Sequence, residues 1–195
     1  GNPQLVLSDV ESWDARAEYA WGETGDLGAL SFFYKTIDDP IESIIVRNPL
    51  NFEGSSSALY RTYFNNPSQA RLWGIEGEAR KNLGFLGPDF AKYFSIGGNF
   101  TWIDATVDRT DAELARAGVF FGVADGRLFG QPEWIANLDL SFDNPDWGTK
   151  VTLAFFAISD ILDAAGSAAI APNGEVSSIT LDRYLDSFSQ LNLIA

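Results

Sequence analysis

The chain has 195 residues and contains neither Cys nor His, which excludes disulfides, thiolate chemistry and the commonest general base and metal ligand. Its net charge of −14, from 13 Lys plus Arg against 27 Asp plus Glu, repels the phosphates of nucleic acids. We therefore expect no enzyme activity, no cofactor, no metal site and no nucleic-acid partner.

Membrane insertion through a helix is not expected, because no stretch approaches the roughly 18 to 20 consecutive apolar residues that a spanning helix needs. Strands of a membrane barrel leave a weaker signal, since each needs only about 10 residues with one apolar and one polar face. The chain opens on Gly1, contains no Met and stops at Ala195 within an apolar alternation. This predicts a piece of a longer protein, with residues 1–195 as one partial domain.

The first two predicted strands form a hairpin. From Ser12 to Trp21 apolar and polar residues alternate strictly, which is the period of a strand with one apolar face. Gly22 to Gly28 is a turn rich in Gly, and a second strand follows from Ala29 to Ile37. The apolar face of the first strand carries Trp13, Ala15, Ala17, Tyr19 and Trp21.

The third and fourth predicted strands flank a turn from Gly84 to Lys92. The third strand, Ala70 to Leu83, places three charged side chains on one face and apolar or small residues on the other. The fourth strand, Tyr93 to Asp104, aligns large apolar residues against Ser, Asn and Thr. The same division into two unlike faces is therefore predicted in both hairpins.

The last three predicted strands continue this pattern. Glu133 to Phe142 and Lys150 to Ser159 each alternate, and the compact segment Asp143 to Gly148 joins them as a turn. A seventh strand is predicted to start near Tyr184 and to alternate to the end of the chain.

Short turns alternate along the chain with long connections. The links Asp38 to Gln69, Ala105 to Pro132 and Asp160 to Arg183 each exceed the usual loop length of about 4 to 6 residues. Short turns on one rim and long loops on the other are the plan of outer-membrane barrels. The sequence therefore predicts an all-β fold, an antiparallel transmembrane β-barrel fragment of about seven strands with short periplasmic turns and long extracellular loops.

Trp and charged residues divide between the two predicted faces. Trp residues near the ends of the apolar faces suit the aromatic girdles of a membrane barrel. They are Trp13, Trp21, Trp102 and Trp134. The polar faces carry charges of both signs, as expected of a wet lumen that contacts a polar plug. These charged residues are Asp14, Arg16, Glu18, Glu76, Glu78 and Arg80.

The long loops carry the predicted ligand-binding side chains, since Arg and aromatic residues hold ligands by charge-assisted hydrogen bonds and stacking. The candidates are Arg47, Tyr60, Arg61, Tyr63, Phe64, Arg109, Phe120, Phe121 and Arg127. Good helix formers predict a short helix from Asp111 to Ala117 within one loop. Acidic residues between Asp104 and Glu113 lack the spacing of an EF-hand calcium loop, so we expect no metal there.

Four segments, in order, resemble the barrel region of the TonB-dependent outer-membrane receptors. GNPQL at 1–5, which leads into the first strand, is similar to the family's GNP-x-L stretch, and FFYKTIDDPI at 32–41 resembles its FYK-x-I-x-x-PI strand end. GIEGEARKNL at 74–83 resembles the G-x-E-x-E strand. LFGQP at 128–132, with ANL at 136–138, resembles the L-x-GQ-P…NL start of another strand. The resemblance covers nearly the whole chain.

The resemblance implies a plugged barrel of about 22 strands, of which roughly seven are present, in the outer membrane of a Gram-negative bacterium. It implies outer-membrane lipid, the protein's own plug domain and the TonB complex as partners. The imported ligand would be a small molecule or a glycan, such as a siderophore or other metal chelate, cobalamin or an oligosaccharide. This chain departs from the family's full pattern in its missing plug, TonB-engaging segment and closing aromatic residue, so we do not expect it to transport alone.

Two other interpretations stay open from the sequence. A soluble β-sandwich would bind carbohydrate through loop aromatics, and it would bury the four Trp residues named above in a core. A hydrolase would use Glu76 and Glu78, which alternation places on one strand face as a pair of carboxylates.

Overall fold

The computed structural model describes residues 2–22, 25–47, 59–87, 89–107, 126–166, 168–170 and 176–195. Within these ranges the regular elements are strands and two short 3-10 turns. No helix in them is long and apolar enough to cross a membrane. In chain order the strands are β1 (Asp9–Trp21), β2 (Asp26–Asp38), β3 (Ile41–Arg47), β4 (Leu59–Asn65), β5 (Ala70–Asn82), β6 (Phe94–Val107), β7 (Trp134–Asn144), β8 (Thr149–Ile158), β9 (Ile161–Ala164), β10 (Ala168–Ile170), β11 (Val176–Ile179), β12 (Arg183–Leu185) and β13 (Phe188–Ile194).

Seven of these strands form one antiparallel sheet in the order β1-β2-β5-β6-β7-β8-β13. Each strand therefore pairs with the next sheet strand along the chain, as in an up-and-down barrel wall. The seven strands predicted by alternation are all present, and the all-β antiparallel barrel class is confirmed. In the described part of the chain the sheet is open, with β1 and β13 at its two edges.

The six other strands lie inside two of the long connections. The link between β2 and β5 folds as a β3–β4 hairpin, and the link between β8 and β13 contains the pairs β9–β12 and β10–β11. The predicted start of the last strand near Tyr184 is wrong. Tyr184 pairs with Leu162 in the β9–β12 ladder, and the chain must leave that ladder before β13 begins at Phe188.

The opposite rim carries the short turns. Gly22 and Gly148 adopt positive φ angles of 71° and 62°, which glycine tolerates without strain. The segment predicted as a turn from Gly84 to Lys92 is built from two 3-10 turns, Leu83–Leu86 and Asp89–Tyr93. The side-chain oxygen of Asn82 accepts a 2.8 Å hydrogen bond from the backbone of Gly84 and so begins the first of them.

The strand register sorts the sheet into two unlike faces, because residues directly opposite each other point to the same side. Trp13 lies opposite Tyr34, which lies opposite Trp73. On the other face Arg16 lies opposite Ser31, which lies opposite Glu76. One face is therefore apolar and the other polar across the pairs of strands.

No second layer packs on either face of this sheet within the described ranges. Trp13 is 72% exposed, and Trp21 and Trp102 are each 37% exposed. The soluble sandwich interpretation requires these side chains in a core, and they are not in one. The larger buried apolar side chains lie instead where the long loops meet the rim of the sheet: Ile44, Leu72, Val107, Leu128 and Leu162.

Candidate functional site

Aromatic residues mark both ends of the apolar face. On three strands two of them stand eight residues apart: Trp13 and Trp21, Phe94 and Trp102, and Trp134 and Phe142. Eight residues of strand extend roughly 26 Å. The apolar band of an outer-membrane barrel is about 25 Å tall and is bordered by aromatic girdles. The spacing thus places rings at both borders of such a band.

The belt near the long loops is a chain of ring contacts. The rings of Trp73 and Trp102 meet edge to face at 4.9 Å, and the indole N–H of Trp73 donates a 3.0 Å hydrogen bond to Asp104. The ring of Phe100 stacks on that of Trp134, with 6.4 Å between the ring centroids. Trp73 was not among the predicted girdle residues, although its position on the apolar face of the third predicted strand was the signal for it.

The belt near the short turns combines rings with a lysine. The ammonium of Lys81 lies 5.8 Å from the ring of Trp21 and 5.5 Å from that of Phe85. Farther along the rim, the ring centroid of Phe142 lies 5.0 Å from that of Phe94 and 6.1 Å from that of Trp147. Lysine stems and aromatic rings favour a membrane interface, since each has an apolar body and a polar or charged tip.

The polar face holds a network of ion pairs across three strands. The Arg16 guanidinium lies 2.7 Å from Glu78 and 3.1 Å from Glu18, and it donates to Ser31 at 3.3 Å. Arg80 lies 3.7 Å from Asp139 on β7. The six predicted lumen residues lie on this face. Glu78, one of the two carboxylates of the hydrolase interpretation, is thus in an ion pair with Arg16.

Two predicted ligand-binding arginines make contacts between loops. Arg61 on β4 forms an ion pair with Asp163 on β9. Arg127 lies 3.0 Å from a carboxylate oxygen of Asp160, and its guanidinium lies 5.4 Å from the ring of Tyr184. These charges already have protein partners, so a ligand would have to compete for them or share them.

The other predicted loop residues fall into two groups. Phe64 packs against Ile44 and Ala165, and the backbone carbonyl of Tyr63 accepts a 3.0 Å hydrogen bond from Asn2. Arg47 and Tyr60 lie in β3 and β4, but their side chains lie outside the described part of the structure. The remaining candidates and the predicted helix also lie outside the described residues: Arg109, Phe120, Phe121 and the segment 111–117.

A cavity of about 370 Å³ opens between the outer end of β6 and the segment that leads into β7. Its lining includes Trp102, Asp104, Arg127, Gln131 and Glu133, which offer hydrogen-bond donors and acceptors beside one aromatic face. Sequence reasoning named only Arg127 as a ligand-binding residue here. The sequence predicts the Gln-Pro step at 131–132 as part of a strand start, and the structure shows that both residues line this cavity just before β7 begins.

The pKa of Asp163 on this rim is shifted by its surroundings. Partial burial raises its pKa, but the hydrogen bonds and charges of Arg183 and Arg61 outweigh that effect. The pKa of Asp163 therefore lies below the ordinary value of an aspartate, and the carboxylate is charged at neutral pH. Among the described residues no group of three or more acidic side chains is arranged to hold a metal ion.

Comparison with known proteins agrees with this geometry. The whole chain, residues 1–195, matches the family model described as TonB dependent receptor-like, beta-barrel. No curated protein and no solved structure matches the chain. The family is one of outer-membrane transport receptors, and not of enzymes. An antiparallel sheet with an apolar face bordered by aromatic rings, a charged opposite face and folded loops on one rim is what such a barrel wall requires. This chain therefore belongs to the TonB-dependent receptor β-barrel family.

Proposed function

We propose that residues 1–195 form part of the barrel wall of an importer in the outer membrane of a Gram-negative bacterium. The imported nutrient is a siderophore or other metal chelate, cobalamin or a glycan. The observation that supports this role is the division of one sheet into a face with two aromatic belts and a face with ion pairs. Lipid contacts the first face, and the protein's own plug domain contacts the second.

Import through such a wall needs binding and gating, without bond chemistry. The plug must dock against the polar face and be displaced when the TonB complex pulls on it. Exposed ion pairs such as Arg16 with Glu18 are screened by water, so each of them is a weak interaction. A contact surface made of such pairs holds the plug by many weak interactions, each of which is replaced by water at little cost.

The ligand binds at the rim that the long loops form. The described arginine side chains of these loops are engaged by carboxylates, Arg61 and Arg183 by Asp163 and Arg127 by Asp160, so in this part of the rim the remaining contacts come from aromatic rings and amides. The cavity beside Gln131 supplies an amide, and the loop residue Tyr63 on β4 supplies an aromatic ring. Rings and amides are groups that recognise sugars and the organic frameworks of metal chelates.

The test is an uptake assay in cells that carry the receptor as their sole route for labelled ferric chelates, cobalamin or oligosaccharides. We expect one of these ligands to accumulate only when TonB is present, and to bind the cell surface without it. The Tyr63→Ala variant should weaken surface binding. The matched Tyr19→Ala variant, on the exposed apolar face, should leave binding unchanged. Uptake of the ligand that persists at full rate without TonB would contradict the proposal.

A further inference from the structure

Strand β9 and the residues that follow it lie at the centre of the long-loop rim. Leu162 and Ala165 are each 1% exposed, and Ala164 is fully buried. Connecting segments of a barrel normally run over the surface, because a buried loop leaves backbone groups without partners. This segment is buried because other loops supply those partners.

The connection between β6 and β7 is hydrogen-bonded to β9. The amide of Gly130 donates a 3.0 Å hydrogen bond to the carbonyl of Leu162, and Pro132 lies opposite Ile161 in an antiparallel bridge. The side chain of Ser159 accepts a 2.8 Å bond from the amide of Glu133. Hydrogen bonds therefore hold the β6–β7 connection against the β8–β13 connection.

The β3–β4 hairpin joins the same segment from the other long loop. The amide of Ile45 donates to the carbonyl of Ala165 at 3.1 Å, and the amide of Ala165 donates to the carbonyl of Ser43 at 3.0 Å. Ile44 and Ala165 pack together in a small buried cluster. Since β5 and β8 stand three strands apart in the sheet, these two loops meet across roughly 14 Å of rim.

One carboxylate stands at this junction. Oxygen Oδ2 of Asp163 accepts from the guanidinium of Arg61 on β4, and it accepts from Nε of Arg183 on β12 at 2.6 Å. The side chain of Asp163 is only 13% exposed. Charge-assisted bonds of this kind are stronger than neutral ones when they are shielded from water. We call Asp163 with its two arginines the clasp.

We infer that the described parts of the three long connections form one mechanical unit, which the hydrogen bonds around β9 and the clasp hold together. The β3–β4 hairpin cannot swing without breaking its bonds to Ala165 and the ion pair with Asp163. A rearrangement of this rim is then a movement of the whole unit, and an independent opening of single loops is prevented. The inference goes beyond the proposed import and holds whichever ligand is carried.

Hydrogen–deuterium exchange of the protein in detergent micelles at pH 7 tests the clasp. The Asp163→Asn variant keeps the shape of the side chain and removes its charge. We expect the amides of Ile45 and Ala165 to exchange about tenfold faster in this variant, because the inter-loop bonds open more often. The Asp186→Asn variant removes the same charge from an exposed site in the same connection, and it should exchange like the wild type.

Three results would overturn the inference. Exchange could rise around Asp163 while Ile45 stays protected, or it could rise equally in the Asp186→Asn control. The Asp163→Asn substitution could also raise amide exchange throughout the sheet. In that case the Arg61→Gln variant tests the inference, since it removes one of the two partners of the carboxylate. Faster exchange at Ala165 in Arg61→Gln, with β6 and β7 still protected, supports the clasp. An unchanged exchange rate at Ala165 in this variant contradicts the inference.

Discussion

Gly74 on β5 shows how closely neighbouring strands approach in this sheet. A Cβ atom added there would overlap the backbone oxygen of Trp102 and the ring of Phe33. The ring can rotate away, but the backbone oxygen moves only if β6 shifts. We therefore predict that Gly74→Ala lowers the free energy of unfolding in detergent by about 1 to 3 kcal/mol.

Gly77, three residues along the same strand, provides the control for this substitution. A Cβ atom there meets nothing within 4 Å. The Gly77→Ala variant should change stability by no more than about 0.5 kcal/mol. Equal losses from the two variants in urea titrations would show that the close approach to Trp102 is not the cause.

The low pKa of Asp163 gives the clasp a defined pH dependence. The pKa of the Asp163 carboxylate is lower in the folded state than in the unfolded state, where it is about 3.9. Such a carboxylate stabilises the folded state at any pH above the unfolded pKa, and this stabilisation is lost as the pH falls through the folded pKa. We predict that the exchange protection at Ala165 is constant from pH 7 to about pH 5 and falls below about pH 4.

The Asp163→Asn variant separates this titration from general acid unfolding. The difference in protection between wild type and variant should be largest at neutral pH and should shrink toward zero in acid. A difference that grows as pH falls would have the wrong sign for a carboxylate held in its charged form.

At the level of elements, alternation was a sufficient signal for the seven sheet strands, because each has one apolar and one polar face. It was insufficient for β9, because a strand of four residues is too short for its alternation of buried and half-buried residues to be recognised in the sequence. The β3–β4 hairpin was missed for a different reason. Its two strands pair with each other and not with the main sheet, and its docking on Ala165 joins residues more than 100 positions apart, which no local pattern encodes.

The two faces of β7 permit a paired test of where lipid lies. Leu138 is 54% exposed on the apolar face, midway between Trp134 and Phe142. A charge at the middle of the apolar band costs about 2 to 4 kcal/mol, so Leu138→Arg should lower the free energy of unfolding in bilayers by that amount.

The neighbouring Asn137 points to the polar face, where its amide donates a 2.8 Å hydrogen bond to Asn99. Replacement by Arg removes that bond at a cost of about 1 kcal/mol but keeps the charge in water. Equal destabilisation by Leu138→Arg and Asn137→Arg would mean that the two faces do not meet different solvents.

For the whole molecule, the exposed apolar face predicts its behaviour in solution. Large side chains such as Trp13, Leu138 and Leu153 stand exposed together on one side of a sheet whose edge strands also lack neighbours in the described part. Such a surface associates in water. We predict that the chain aggregates in plain buffer, and that detergent restores a single species in size-exclusion chromatography with light scattering.

A monodisperse monomer that melts cooperatively without detergent would contradict this prediction. The polar and apolar faces were both predictable from the sequence, because alternation assigns every residue of a strand to one side. The ion pairs of the long-loop rim were not, since Arg61 and Asp163 are brought together only by the packing of separate loops.

The belts also carry information about the shape of the wall. Trp73 lies opposite Asp104, whereas Trp102, the Trp of the next strand, lies opposite Ile75, two residues nearer the short turns. At the other rim Lys81 lies opposite Ile96, again two residues from Phe94. Between β5 and β6 these belt residues are thus out of line with the rungs of the hydrogen-bonded ladder by about 7 Å, whereas between β6 and β7 Trp102 lies directly opposite Trp134. Offsets of this kind between neighbouring strands, summed around a barrel, determine with the number of strands how far the strands tilt and how large the circumference is.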